Sequence, residues 1–304
     1  MVQVTKHRKI YYAISGVLVA LSFISLMTWG LNLGIDFKGG SLLLGDFKTE
    51  RLSNDDIKNA LSEQNLGNIT VQPTGDRSVL IRIKEIDEDT HQAVLASLDK
   101  AAIERSEDNG FEQKSYESIG PSISSELSKK AVYAILFVLV AIVAFVAFAF
   151  RKVSYPLASW KYGVATLVAL SHDVMIPVGV FAYLGNFYNV EISSAFIAAI
   201  LTVLGYSVND TIVVFDRVRE NLMRHTGKDF EETVNISVNQ TFVRSLNTSL
   251  TVILVLVAIF MFGGESIKYF ALALLIGVTV GTYSSIFIGS NILVTMEKNL
   301  RKKK

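Results

Sequence analysis

Asp210 is the residue whose type and setting point most directly to chemistry. It stands in the apolar stretch 192–215, beside Asn209 and ahead of Thr211-Ile-Val-Val-Phe215. Charged sequence resumes at Asp216, which puts Asp210 roughly 9 Å inside a membrane interface at the rise of an α-helix. An ionised carboxylate at the bilayer centre costs at least ~2.5–3.5 kcal/mol. Taking up a proton removes that cost, so such a group can load and release protons. The plainer reading is a helix that leaves the membrane early, with Asp210 wet and inert. The apolar run that follows Asp210 argues against it.

Arg244 is the natural partner. It precedes the apolar stretch 246–262, between Asn239-Gln240-Thr241 and Asn247-Thr248-Ser249. The chain returns there to the depth at which the previous stretch ended. An arginine near Asp210 favours the carboxylate, and protonation of Asp210 releases the arginine. Arg217 is a rival, two turns along from Asp210, and positive-inside anchoring by snorkelling is the alternative for both arginines.

His172 and Asp173 interrupt a third apolar stretch, 163–184. Adjacent helical residues point to different faces, so Ser171-His172-Asp173 is not a hydrolase triad. A proton relay and a buried interhelical hydrogen bond are equally compatible with the pair. Gly277, Gly281, Ser285 and Gly289 recur every four residues in the stretch 269–294, a small-residue stripe suited to close helix packing, internal or with a partner. Gly34-Ile-Asp36-Phe-Lys-Gly39-Gly40 allows a sharp turn. As a phosphate-binding loop it lacks the closing Gly-Lys-Ser/Thr. Gly120-Pro121-Ser122 reads as a second corner.

These residues need helices to hold them. A membrane helix takes about 20 mostly apolar residues. Six stretches qualify: 11–30, 131–150, 163–184, 192–215, 246–262 and 269–294. The first follows Lys6, Arg8 and Lys9, is long for a signal peptide, and has a poor cleavage site in Met27-Thr28-Trp29. It reads as an uncleaved anchor. The segments at one side of the six spans, including a loop over 216–245 and a tail over 295–304, carry 16 basic residues. The short loops 185–191 and 263–268 on the other side carry one, Lys268. Both termini are therefore expected in the cytoplasm.

Residues 31–130 then lie outside the cytoplasm. They hold 18 acidic and 12 basic residues. Strands are expected over 41–47, 69–72, 78–84 and 111–119, with Val79, Ile81 and Ile83 on one face. Helices are expected over 53–66, capped by Ser53 with Asp55 and Asp56 in the first turn, and over 87–105, with Val94, Leu95, Leu98 and Ala102 at helical spacing. The order β-α-β-β-α-β is that of a ferredoxin-like unit, which hosts many functions.

Composition closes off other classes. The chain has 304 residues, half of them apolar, and only 19% charged, below the ~25% of soluble domains. A net charge of +1 speaks against nucleic-acid binding. The absence of Cys excludes disulfides, thiol nucleophiles and Cys-ligated zinc. His7, His91, His172 and His225 form no metal-ligand spacing. No nucleophile–base pair is credible, so neither an enzyme nor a cofactor is expected.

One span, a large exterior domain and then five spans is the layout of half an RND-superfamily transporter. The motifs narrow this. Gly34 to Gly40, Ile119-Gly-Pro-Ser122, His172-Asp173, Gly205-Tyr-Ser-Val-Asn-Asp210-Thr-Ile-Val-Val-Phe-Asp-Arg217-Val-Arg-Glu-Asn221, Asn239-Gln-Thr-Phe-Val-Arg244 and Asn247-Thr-Ser249 resemble the SecF family, the smaller subunit of the bacterial SecDF auxiliary translocase. The resemblance covers almost the whole chain. It implies a polytopic helical protein of the bacterial plasma membrane with six spans, half of an RND-type bundle, and a small α+β domain between the first two. It implies use of the proton motive force to promote preprotein export, with exterior domains that grip the emerging chain. Asp210 matches the family's proton-path carboxylate and Arg244 its essential arginine, with Ser245 following where Thr is usual. The partners implied are SecD as a separate chain, the SecYEG translocon, SecA, YidC, the translocating preprotein and membrane lipid. Two other readings stay open: an RND-type exporter of lipids or small molecules, and a non-transporting scaffold of the export machinery.

Overall fold

The structure, a computed structural model, describes residues 2–151 and 156–302. Lys152, Lys303 and Lys304, counted above among the basic residues, lie outside the described residues. The chain divides into two units, residues 1–32 with 131–304, and Leu33–Lys130.

The smaller unit opens with a short turn of helix, α2 (Ile35–Lys38), between Gly34 and Gly39. Helix α1 (Arg8–Trp29) precedes it in the other unit. Strand β1 (Gly40–Phe47) follows, then α3 (Asn54–Ala60), β2 (Thr70–Pro73), β3 (Ser78–Ile83), α4 (Glu88–Arg105) and β4 (Phe111–Ile119). The sheet order is β2-β3-β1-β4, with every neighbouring pair antiparallel. This is the ferredoxin-like arrangement. Alternation along β1 and β3 turns Leu43, Phe47, Val79, Ile81 and Ile83 inward, onto Val94, Leu98 and Ala102 of α4 and Ile57 of α3. Each such side chain contributes roughly 1.5–3 kcal/mol of burial.

One expected element is shorter than its sequence suggests. The helix expected over 53–66 is capped by Ser53, whose hydroxyl accepts from Asp56 N at 3.1 Å, yet it ends at Ala60. The Ser62 hydroxyl donates to the Asn59 carbonyl at 2.7 Å, and Gln64 reaches across to Ala93 and Ser97 of α4. Short polar side chains compete here with the helix's own hydrogen bonds.

The larger unit is helical. α5 (Pro121–Ala149), whose residues up to Lys130 belong to the smaller unit, α6 (Ser159–Tyr188), α7 (Ser194–Met223) and α8 (Phe230–Phe262) are followed by α9 (Glu265–Ser284), a π-helical turn (Ser285–Gly289) and α10 (Ser290–Arg301). Among the described residues, six helical segments are long and apolar enough to cross a membrane, the last running Ile267–Arg301 through the π-turn. Charge and polarity understate helix length. α5 begins at Pro121, ahead of the apolar run at 131, because Pro fits the first helical position, and the Gly120 carbonyl accepts from Ser124 N at 3.0 Å. The expected loop 216–245 is mostly helix: α7 continues to Met223 and α8 starts at Phe230, leaving a short connection. Asp229 caps α8 by accepting from Glu232 N at 2.8 Å. The tail from 295 is helical to Arg301, and Arg301 pairs with Glu297. Glu231 of α8 binds Arg8 at 2.5 Å and also Lys298.

Candidate buried carboxylate site

α7 carries Asp210 about midway along its 30 residues. Helix α9 comes close on one side. A Cβ on Gly277 would overlap the Val203 side chain, and one on Gly281 would lie 2.9 Å from Ser207 Cβ. Ser285, the next of the stripe, bonds Thr211 Oγ1 at 2.9 Å and donates to the Ser207 carbonyl at 3.2 Å. Gly289 lies against Phe215 and Thr211 in ordinary contact.

Helix α8 closes the other side with hydroxyls. Ser237, Thr241, Ser245 and Ser249, four residues apart, are all buried. Ser245 Oγ donates to Asp210 Oδ1 at 3.4 Å. Asp210 is 6% exposed, and its Oδ2 is buried with no hydrogen-bond partner among the described residues. Ser249 accepts from Tyr206 at 3.3 Å and from Thr282 at 2.6 Å, which ties α7, α8 and α9 together one turn away. Asn221 repeats the pattern lower on α7, donating to Ser237 and Gln240.

Arg244 is exposed and makes no ion pair with Asp210. Neighbouring helical residues differ by about 100° in direction, and here Ser245 takes the inward position. Ser245 is the site residue that sequence reasoning missed as a contact. The hydroxyl spacing of α8 was the signal that could have found it. Arg217 pairs with Glu220 on its own helix at 2.7 Å. Asn209 and Gly205 lie on an exposed face of α7, with open space around Gly205.

His172 and Asp173 form a separate knot. His172 Nδ1 lies 2.9 Å from Asp173 Oδ1. Asp173 Oδ2 accepts from Ser207 of α7 at 2.5 Å and Ser284 of α9 at 2.8 Å. Pro177 sits four residues on and has no N–H, so the Asp173 carbonyl lacks its helical donor.

The glycine-rich turn lies in the smaller unit. Gly39 and Gly40 have φ of 76° and 121°, and a Cβ on Gly40 would sit 2.7 Å from the Ile83 carbonyl oxygen. Asp36 is in the first turn of α2. These residues start the sheet and stand in a different unit from Asp210. No group of three or more potential metal ligands occurs among the described residues.

Comparison with known proteins agrees with this architecture. Residues 99–299 match the family described as protein export membrane protein SecD/SecF, C-terminal, and residues 24–44 match the SecD/SecF GG motif. The chain is 42% identical to the protein translocase subunit SecF of Thermobaculum terrenum, over 98% of this chain and 94% of that one. It is 36% identical to SecF of Haemophilus influenzae, over 98% of this chain and 86% of that one. Its fold is similar to crystal structures of SecDF. For the translocon-associated SecDF of Thermus thermophilus the TM-score is 0.80 at 31% identity, covering 97% of this chain and 38% of that one. For SecDF in a super-membrane-facing form the TM-score is 0.67 at 34% identity, covering 99% and 39%. The chain thus spans well under half the length of the solved SecDF chains. On motif, length and fold together, this chain belongs to the SecF family of protein translocase subunits.

Proposed function

We propose that this chain, paired with a SecD-type half, uses inward proton movement to drive protein export across the bacterial plasma membrane. The observation that carries this reading is Asp210: a carboxylate buried midway along an apolar helix, with Ser245 on one oxygen and the other buried with no hydrogen-bond partner among the described residues. Asp210 takes a proton from outside and releases it to the cytoplasm, where both termini lie. Its charge decides how strongly it draws Arg244 inward across the exposed face of α8. That movement biases the two six-span halves between conformations, and the exterior domain moves with them. The exposed polar face of α7, with Asn209 and Gly205, meets the partner half. SecYEG, SecA and YidC are the machinery this pair serves, and the emerging preprotein is its load.

Energy sets a limit on this cycle. A proton crossing about 150 mV releases roughly 3.5 kcal/mol. Moving a two-state equilibrium from 1:99 to 99:1 takes roughly 5.5 kcal/mol. One proton therefore supplies only part of a full swing.

The test is pulse-chase export of a secreted protein in cells lacking this chain, restored with wild type or Asp210→Asn at equal membrane abundance. Asn is near-isosteric and does not titrate. Failure of the variant while it still pairs with SecD supports the proton reading. Full restoration means that Asp210 and its neighbours are structural and that the chain acts as a scaffold.

A further inference from the structure

We propose that His172 is a second proton-binding site of this bundle, with Asp173 as its fixed counter-charge. This deepens the proton-driven reading of Asp210 and rests on it. The limit derived above leaves room for a further proton, and this knot is where the bundle can hold one.

Asp173 is completely buried. Its two oxygens face three donors: the His172 ring, Ser207 and Ser284. Among the described residues no Lys or Arg bonds or ion-pairs with either member of the pair. The other titratable groups around them are few. Tyr283 of α9 has its ring 6.3 Å from the imidazole, and its hydroxyl donates to the Tyr11 carbonyl of α1 at 3.2 Å. Asp210 lies one turn beyond Ser207 on α7. The imidazole is thus the group in contact with Asp173 that can become a cation.

The geometry also fixes where the proton lands. Nδ1 faces a carboxylate oxygen, so in the neutral ring Nδ1 carries the hydrogen and Nε2 the lone pair. His172 is 6% exposed, and Nε2 is buried with no hydrogen-bond partner among the described residues. A buried, unsatisfied acceptor is costly to retain. A hydronium ion gives its proton to the Nε2 lone pair: its O–H bond breaks, the Nε2–H bond forms, water leaves, and no hydrogen bond among the described residues is lost. The net charge of the pair then rises by one.

The same knot can pass this change on to Asp210. Asp173 holds Ser207, three residues before Asp210 on α7, and Ser284, which adjoins the π-turn. Both outer helices are interrupted here, α6 by Pro177 and α9 by the π-turn. Helices yield most readily at such points.

The experiment uses the complete complex with its SecD partner, purified in detergent. Proton uptake is read with a soluble indicator after a jump from about pH 8 to about pH 5, the range in which imidazole titrates. His172→Gln and Asp210→Asn should each take up one proton fewer than wild type, and the double variant two fewer. Uptake by His172→Gln equal to wild type overturns the second site. Uptake by Asp210→Asn equal to wild type, with His172→Gln one lower, instead overturns the Asp210 reading and leaves His172 standing. Should His172→Gln fail to assemble, a chain with His7→Gln, His91→Gln and His225→Gln and isotope-labelled histidine keeps the knot intact. Infrared ring bands must then change from imidazole to imidazolium over the same jump. A ring that stays in one form throughout overturns the proposal.

Discussion

Gly179 of α6 lies directly against Ser22 of α1: a Cβ on Gly179 would overlap both the Cβ and the Cα of Ser22. The Gly179 carbonyl also accepts from Ser25 at 2.8 Å. Backbone meets backbone there, as small residues allow between membrane helices. Gly179→Leu should force the helices apart and cost about 1–3 kcal/mol, the range for overpacking a tight site. A lowered thermal midpoint of the purified protein reads this. An unchanged midpoint would mean that the seam opens freely.

The Ser245 hydroxyl is the direct neighbour of Asp210. Ser245→Ala removes it and leaves the carboxylate in place. The bond is long, so the loss should be about 1 kcal/mol, or roughly fivefold in the export rate. Ser245→Thr keeps the hydroxyl and should stay close to wild type. Equal rates for Ala and Thr would show that Asp210 does not use this donor.

In the smaller unit, the Thr90 hydroxyl and then its backbone N–H hold the Asp87 carboxyl below its usual range. The sign follows from the cap. Asp87 stabilises the start of α4 when ionised, so its contribution is complete above the ordinary value of 3.8. It fades as pH falls through the lowered value. Hydrogen exchange in the first turn of α4 should quicken in Asp87→Ala at pH 7, and the gap to wild type should close in strong acid. A gap independent of pH would refute the cap's charge dependence.

The amino-terminal segment is tied to α8 by Asn239, which accepts from Val2 N at 2.8 Å and donates to the Val2 carbonyl at 2.9 Å. Two exposed bonds contribute about 0.5–1.5 kcal/mol each at most. Asn239→Ala should leave global stability nearly unchanged and speed limited proteolysis near residue 3 severalfold. A large fall in global stability would place Asn239 in the core instead.

Much of this was legible in the sequence for a physical reason. Apolar runs near membrane length declare spans, and Val79, Ile81 and Ile83 declare a strand by strict alternation. Asp210 stood out because a charge inside such a run has few explanations. Other features depend on the phase of a helix, which composition does not carry. Whether Arg244 or its neighbour Ser245 faces α7 depends on a helix that begins at Phe230, far ahead of the apolar run. Pro177 was visible, but its effect on the Asp173 carbonyl needs the helix register. The seam between Gly179 and Ser22 joins residues far apart in sequence, and one glycine among many gives no sign of its partner. The π-turn has no local signature at all.

That turn at Ser285–Gly289 works as a phase shifter. A π-turn amounts to one residue more than an α-helix needs. It rotates everything after it relative to everything before, without bending the chain out of the bundle. The glycines of α9 can therefore be set for contact with α7, while the buried Asn291 and Leu293 of α10 are set separately. Removing one residue from the turn would leave a continuous helix of nearly the same length. It would also put one of those two faces out of step with its neighbours, so a deletion here is harder to accommodate than a substitution.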